Sequence, residues 1–520
     1  MCGGLPDAGK GEIILNIRDA KEQVKHAVIA YLSKDDFGDY RIPIDKQRPV
    51  FLYGVPGIGK TAIMEQIAQE MNIGLVAYSM THHTRQSALG LPFIAHKIYD
   101  GKAYDVSEYT MSEIIATIYE TMEASGVKEG ILFLDELNCV SETLAPAMLQ
   151  FLQFKIFGRH KVPDGWVVVT AGNPPEYNKS VREFDIVTMD RMKKIDIEPN
   201  FKVWKAYAYK EHVHGAIISY LDIKNNHFYS IETTLDGKNF VTARGWEDLS
   251  KMMILYESSG IAIDENLVIQ YLQNARIAKD FAVYYDLYNK YKSDYQISEI
   301  LDGKTDEVIK ERARSAKFDE RLSLMGLLLE TVTHEMGETI ALDVATSELY
   351  QVLKDIKHDF VLGQEAPEAI LERFIKKHQQ MLNREKLSGA MSLERKTTLL
   401  RIIQALEGYK NVLKKHRAIH PEDAFGILKT EFESQVAQLK AKISKVHMTL
   451  KHLFDFVDEV FGTGNEILIL VTELTVHYHS AKFIGKFGCK EYFEHNKELL
   501  FYERQQEIIG RIDALELDGL

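Results

Sequence analysis

A short apolar run that stops at a glycine, passes through a glycine-rich turn and enters a helix at Lys60 and Thr61 constrains this 520-residue chain more than any other feature. Arg48–Gly54 reads RPVFLYG, the composition of a buried strand, and Gly54, Val55, Pro56, Gly57, Ile58, Gly59, Lys60 and Thr61 fit G-x-x-x-x-G-K-[ST]. Helical spacing follows from Thr61 through Ala62 to Met71. Three further apolar runs, GLVAYSM from Gly74, GILFLD from Gly130 and WVVVTA from Trp166, alternate with helical segments near Met111–Ala124 and Ser141–Phe154. Strands that alternate with helices predict a parallel sheet covered on both faces, an α/β P-loop core.

Two segments break the alternation. Pro92–Tyr109 alternates apolar and polar residues around Asp100 and Gly101, a hairpin signal, and Lys155–Gly165 reads as a smaller hairpin. Both are expected to project from the core. A first helix is expected over Asn16–Leu32. Beyond Pro199, helical periodicity dominates: Phe201–Ile223, Ala243–Ser258 and Leu267–Tyr291, with a polar excursion at Asn225–Lys238. Past Asp302 the expected helices are Thr305–Glu335, Thr346–Phe360, Pro367–Leu387, Ser392–Lys415, Pro421–Val460 and one or more from Gly464 onward, ILILVTELTV (467–476) included. The expected organisation is a tail (1–15), an α/β nucleotide-binding domain (16–198), a helical lid (199–300) and an all-helical C-terminal domain (301–520).

A formal net charge of −13 repels bare polyanions on average, so nucleic acid is not an expected partner. The stretch from about 371 to 451 is rich in Lys and Arg, but these interleave with Leu and Ile at helical spacing, the pattern of a solvated helix face. Cys2, Cys139 and Cys489 are too scattered for a disulfide framework or a four-ligand zinc site. Adjacent His82 and His83 point to opposite sides of an extended segment, so a polar loop is expected there rather than a metal site. The first residues have no apolar signal core, and no uncharged run reaches the ~20 residues of a membrane span. A cytoplasmic protein is expected.

The residues in and after the strand ends carry the chemistry. Loop glycines let backbone N–H groups turn inward around phosphate oxygens, and the helix N-terminus adds its dipole. Lys60 suits the β- and γ-phosphates of ATP, and the Thr61 hydroxyl suits Mg²⁺. Asp135 ends an apolar strand, where a carboxylate needs compensation that Mg²⁺ supplies. Glu136 is then placed to activate water, and Asn173, just past the WVVVTA run, to orient it. A plain Gly-Asn-Pro-Pro turn is the other reading of Asn173.

On these residues and two arginines the chain resembles the AAA+ superfamily of ATPases, and within it the MoxR-like and dynein-related group. Phe51–Thr61 matches its Walker A segment, Ile131–Glu136 its Walker B and Asn173 its sensor 1. The stretch Met189, Asp190, Arg191, Met192 resembles the segment that carries the trans-acting arginine, with Arg182, Lys193 and Lys194 close by. Arg244, in the sequence VTARGWED, matches sensor 2 at the start of a lid helix. Both hairpins and Gly90–Pro92 also fit the group, and the resemblance covers about residues 16–290. It implies Mg²⁺-dependent ATP hydrolysis by a ring, a hexamer, that remodels a client protein beside a partner bearing a von Willebrand factor A domain. A nucleic-acid motor and a nucleotide-gated scaffold without turnover are the alternatives, and Glu136 argues against the scaffold.

Overall fold

The computed structural model describes residues 14–177, 181–234, 237–362, 365–416, 420–462 and 464–497. Cys2, most of the expected tail and the end of the expected C-terminal domain lie outside the described residues. Packing divides the chain into two units, one of residues 1–203 with 379–396 and one of 204–378 with 397–520.

The first unit opens with β1 (Ile14–Asn16), α1 (Ile17–Tyr31), β2 (Val50–Gly54), α2 (Lys60–Met71) and β3 (Gly74–Ser79). A short α3 (Arg85–Leu89) leads to the hairpin β4 (Pro92–Tyr99) and β5 (Lys102–Tyr109). Then come α4 (Glu113–Ser125), β6 (Gly130–Asp135), α5 (Ala145–Phe154), the small hairpin β7 (Ile156–Phe157) and β8 (His160–Lys161), β9 (Trp166–Gly172), α6 (Ile186–Met189) and β10 (Lys193–Glu198). Six strands form one all-parallel sheet in the order β1-β10-β2-β9-β6-β3. Every residue of β9 is buried, as is every residue of β6 except Asp135, which is what a sheet covered on both faces requires. The fold is the α/β P-loop core that the alternation implied.

Each hairpin is a separate two-stranded sheet. At the tip of the first, Asp100 and Gly101 have φ of 49° and 72°, the doubly positive pair of a two-residue hairpin turn. Glu108 ties the two hairpins together, pairing with Lys97 of β4 and with Arg159 of the β7–β8 turn. At the open edge of the sheet, the N–H of Leu75 donates to the Ser388 carbonyl at 3.1 Å, so β3 is partly capped.

Two strands of the six-stranded sheet were not expected. β10 lies between β1 and β2, yet only Ile195 and Ile197 of its six residues are buried, too weak an apolar signal to separate it from a charged loop. β1 has only three residues and precedes α1, whose N-cap Asn16 accepts from the N–H groups of Arg18 and Asp19.

Among the described residues, the second unit is helical apart from one hairpin. Its elements begin with α7 (Phe201–Lys210), most of which it contains, α8 (Gly215–Ile223), β11 (Ser230–Thr234) and β12 (Gly237–Val241). Next are α9 (Ala243–Ser258), α10 (Glu265–Tyr271), α11 (Ala275–Asp294), α12 (Ile297–Leu301), α13 (Glu307–Ser315) and α14 (Phe318–Leu362). The chain ends in α15 (Pro367–Leu387) and α16 (Leu393–His416), of which residues 379–387 and 393–396 belong to the first unit, followed by α17 (Pro421–Phe461), α18 (Asn465–Val476) and α19 (Tyr478–Phe487). ILILVTELTV is helical, within α18.

Several expected helix limits are corrected, each for a local reason. Phe201–Ile223 is two helices, because His214 caps α8 by accepting from the Ala216 N–H at 3.1 Å, and Glu330 accepts from the Gly215 N–H at 3.0 Å. Leu267–Tyr291 divides where Asn274 accepts from the Ile277 N–H at 3.2 Å and starts α11. Thr305–Glu335 breaks at Ala316, whose carbonyl takes the Arg321 Nε–H at 2.9 Å. Conversely, Glu335 and Thr346 belong to one helix of 45 residues. Gly337 does not interrupt it; that glycine lets the His479 ring approach, where a Cβ would sit 3.2 Å from it. The polar excursion at 225–238 holds a short helical turn and most of the β11–β12 hairpin.

Candidate active site

A parallel sheet brings the C-terminal ends of its strands to one edge, and the residues singled out by motif lie there. β2 ends at Gly54, β6 at Asp135 and β9 at Gly172. Between β2 and α2 the loop turns through Gly57 at φ 73° and Gly59 at φ 99°, values that other residues rarely adopt. Gly59 is also the N-cap of α2 and gives it no side-chain cap, so the first N–H groups of the helix face the loop. Val55, Pro56 and Gly57 are half-buried, and Ile58 anchors the loop in the core.

Lys60 is 7% exposed, and its Nζ donates to the Gly54 carbonyl at 2.8 Å, the Val55 carbonyl at 3.0 Å and Asn173 Oδ1 at 2.8 Å. Because an ammonium only donates, the bond to Asn173 fixes that amide with its oxygen toward Lys60 and its NH₂ turned away. The Thr61 hydroxyl, on the first turn of α2, lies 3.2 Å from Asp135 Oδ2. A hydroxyl and a carboxylate oxygen at this spacing are the hard oxygen donors that Mg²⁺ prefers, so the residues present fit that ion. Asp135 Oδ1 accepts from the Glu136 N–H at 2.8 Å.

Glu136 has φ 54°, an unfavourable left-handed conformation for a residue with a Cβ. Its Oε2 accepts from the Ser79 hydroxyl at 2.9 Å and the Thr81 hydroxyl at 3.1 Å, at the end of β3. Neither hydroxyl was singled out from sequence. The same holds for Asn138, whose side-chain Nδ2 donates to the Asn173 carbonyl at 2.8 Å. The only sequence signal for these three is their position at or just past a strand end. Cys139 follows in a 3₁₀ turn rather than a helix, and burial, then the charges of Glu136 and Asp135, push its thiol pKa up. His83 packs its ring on Tyr78 and sits 3.2 Å from the Ser87 hydroxyl.

Lys60, Thr61, Asp135, Glu136 and Asn173 are therefore brought together. Arg191 is not. It lies just before β10, whose Lys193 pairs with Val50 while its Ile197 pairs with Gly54. Arg191 thus sits at the N-terminal edge of the sheet, ~15 Å of strand away from the P-loop at the C-terminal edge. Of its acidic neighbours, Asp190 lies 4.0 Å from Arg48, while Asp185 caps α6 through the Thr188 N–H at 2.8 Å and has its pKa lowered by Thr188 and then by the charge of Arg191. Arg182 is paired with Glu142 at 2.6 Å, both exposed. Arg244 belongs to the second unit, exposed on the first turn of α9 behind the Thr242 N-cap.

Residues 50–189 match the model of the AAA family, ATPases associated with various cellular activities. A solved structure of a candidate ATPase from Cytophaga hutchinsonii is similar at 17% identity over 34% of this chain, with a TM-score of 0.23. This chain spans 46% of that protein's length, less than half. No curated protein matches the chain.

Proposed function

We propose that this AAA-family domain hydrolyses ATP to ADP and phosphate and that the chain works as a ring, a hexamer, in which each active site is completed by a neighbouring copy. The observation that carries the proposal is the convergence on one sheet edge of Lys60, Thr61, Asp135, Glu136 and Asn173. In this reading Gly54–Ala62 wraps the phosphates with its N–H groups and Lys60 holds the β- and γ-oxygens. Thr61 and Asp135 hold Mg²⁺, which when bound neutralises charge on the phosphates. Glu136 takes a proton from the attacking water as its oxygen bonds to the γ-phosphorus and the bond to ADP breaks. Asn173, with its NH₂ directed away from Lys60, donates to the water or to a γ-oxygen.

Arg191 acts in trans: its place at the opposite edge of the sheet keeps it from its own P-loop and leaves it available to a neighbour's. Such an arginine typically contributes ~10³–10⁵ in rate, so assembly switches on turnover. Arg244 acts as sensor 2 from the lid segment 199–300, and 301–520 serves as the C-terminal domain. No helix among the described residues is long and apolar enough to cross a membrane, and we place the protein in the cytoplasm. The output is remodelling of a client protein, in the manner of the MoxR-like group with a von Willebrand factor A-domain partner. The β4–β5 hairpin supports a gripping role, since Ile98 and Tyr99 are 74% and 49% exposed rather than packed on their own domain.

The test is mixing. Arg191→Ala and Lys60→Ala are each inactive alone, but mixed rings place an intact P-loop beside an intact arginine and regain part of the ATPase rate. Mixed rings confirmed by mass with no rescue at any ratio overturn the trans role of Arg191. Ile98→Ser with Tyr99→Ser leaves ATPase rate and ring mass near the parent's and abolishes capture of a client by a Glu136→Gln ring; joint loss of melting temperature and ATPase rate contradicts the gripping role.

A further inference from the structure

We infer that Asn138 is a positioning residue for the proposed ATP hydrolysis, holding Asn173 at the depth and rotation the reaction needs. Asn138 is only 3% exposed and lies in the turn that follows Glu136. Its side chain meets the backbone of residue 173 at two points: Nδ2 donates to the Asn173 carbonyl at 2.8 Å, and Oδ1 accepts from the Asn173 N–H at 3.3 Å. A carbonyl only accepts and an N–H only donates, so the amide can take one orientation there. Two bonds from one rigid amide fix both the distance and the rotation of the peptide at 173, which a single bond would not.

The space for this clamp is made by Gly172. A Cβ at that position would stand 2.7 Å from Asn138 Oδ1, so any other residue would push the amide away. Asn138 also binds with its backbone: its carbonyl accepts from the Arg182 N–H at 2.9 Å, fastening the start of the segment that leads through α6 to Arg191. One buried asparagine therefore joins the turn bearing Glu136, the end of β9 and the arginine segment.

The consequence falls on turnover and not on nucleotide affinity. Lys60 keeps its bonds to the Gly54 and Val55 carbonyls whatever happens at 138, so the phosphate cradle stands. Asn173 alone loses its alignment, and a misplacement of about 1 Å near reacting atoms costs ~100-fold. This role rests on ATP hydrolysis being the reaction.

The experiment compares Asn138→Ala and Asn138→Asp with the parent as full chains, measuring ATPase kcat and KM, binding of a fluorescent ADP and melting temperature. In Asn138→Ala we expect kcat to fall ~10- to 100-fold with KM and ADP affinity within about threefold. Asn138→Asp keeps the shape, but its carboxylate lacks the donor that the Asn173 carbonyl needs. Protonation restores an O–H there, so its kcat relative to the parent should rise as pH falls. Asp135, Glu136, Cys139, Lys60 and Arg182 are the ionisable or charged groups nearby and are the same in parent and variant, which is why the ratio is the readout. If Asn138→Ala does not fold, the pH profile of Asn138→Asp decides. Parent-like kcat in Asn138→Ala, a flat ratio in Asn138→Asp, or joint loss of kcat, ADP binding and melting temperature in the folded variants overturns the role while ATP hydrolysis stands. A parent without ATPase activity overturns the function and this role with it.

Discussion

Two of the three buried lysines among the described residues, Lys60 in the first unit and Lys205 in the second, show how the same group can serve opposite ends. Lys60 and Lys205 are 7% and 9% exposed. Lys60 donates to uncharged oxygens, two loop carbonyls and one amide, that fix the place of the ammonium at the end of a strand. Lys205 on α7 donates instead to Asp222 at 2.7 and 2.8 Å and to Glu473 at 2.6 Å, joining α7, α8 and α18. The Tyr209 hydroxyl also donates to Glu473, so that carboxylate is bound on both oxygens. Carbonyl oxygens orient a cation and leave an anion room to share it; carboxylates neutralise it. The first arrangement suits a ligand and the second suits a fold.

The largest predicted effect breaks the structural side. Lys205→Met leaves the Asp222 and Glu473 carboxylates, 35% and 19% exposed, without their cation and should cost about 2 kcal/mol of unfolding free energy, between the cost of breaking an exposed pair and a buried one, read by denaturant titration. Desolvation holds the Asp222 carboxyl above its ordinary range despite Lys205. Adding Asp222→Asn and Glu473→Gln should recover part of the loss. If Lys205→Met is as stable as the parent, the network does not hold the helices.

A smaller effect sharpens the catalytic side. Removing both hydroxyls that Glu136 accepts from, with Ser79→Ala and Thr81→Ala, should lower ATPase kcat about 10-fold and leave ADP affinity unchanged. That corresponds to roughly 1.4 kcal/mol of transition-state stabilisation. An unchanged kcat would mean that Glu136 is held by its backbone alone.

At neutral pH the smallest effect belongs to His477 and Glu257, whose contributions show only as a pH dependence of the helical unit on acidification. Burial, and then the neighbouring His479 and His212, hold the His477 pKa down to about 3 from an ordinary 6.5. A lowered folded value means its contribution is complete above pH 6.5 and is lost as pH falls toward about 3. Glu257, hydrogen-bonded to His214 at 3.0 Å, is held down to about 2 from 4.5, so its share is lost between about 4.5 and 2. Denaturation midpoints of the helical unit should therefore decline in two stages on acidification, and His477→Gln should flatten the first. Identical curves for parent and variant would remove His477 from the account.

The contrast also decides what could be read before the fold was seen. The placement of the P-loop, Asp135, Glu136 and Asn173 at one sheet edge was legible because it follows from residues adjacent in sequence: a strand, its terminal polar group, the next helix. Ser79, Thr81 and Asn138 depend on neighbours brought by the sheet, Ser79 lying 57 residues from Glu136 and Asn138 lying 35 from Asn173, and nothing local marks them. β10 escaped notice because a strand in a parallel sheet usually reads as an apolar run, whereas KKIDIE reads as charge. In the helical unit, helix existence was legible and helix ends were not. Asn274 and His214 act as caps that their sequence context hides, and Gly337 packs against a ring where a break was expected.

The most direct test of the central claim separates holding the nucleotide from breaking it. Equilibrium binding of ATP and steady-state phosphate release should be measured side by side on the parent, Lys60→Ala and Glu136→Gln. The cradle built on Lys60 and the carboxylate held at Glu136 predict that Lys60→Ala loses ATP binding by ~100-fold or more, a cost of about 2.7 kcal/mol. Glu136→Gln should bind ATP like the parent and release phosphate at least ~100-fold more slowly. Equal loss of binding in both variants, or a Glu136→Gln chain that turns over at the parent rate, would contradict the account.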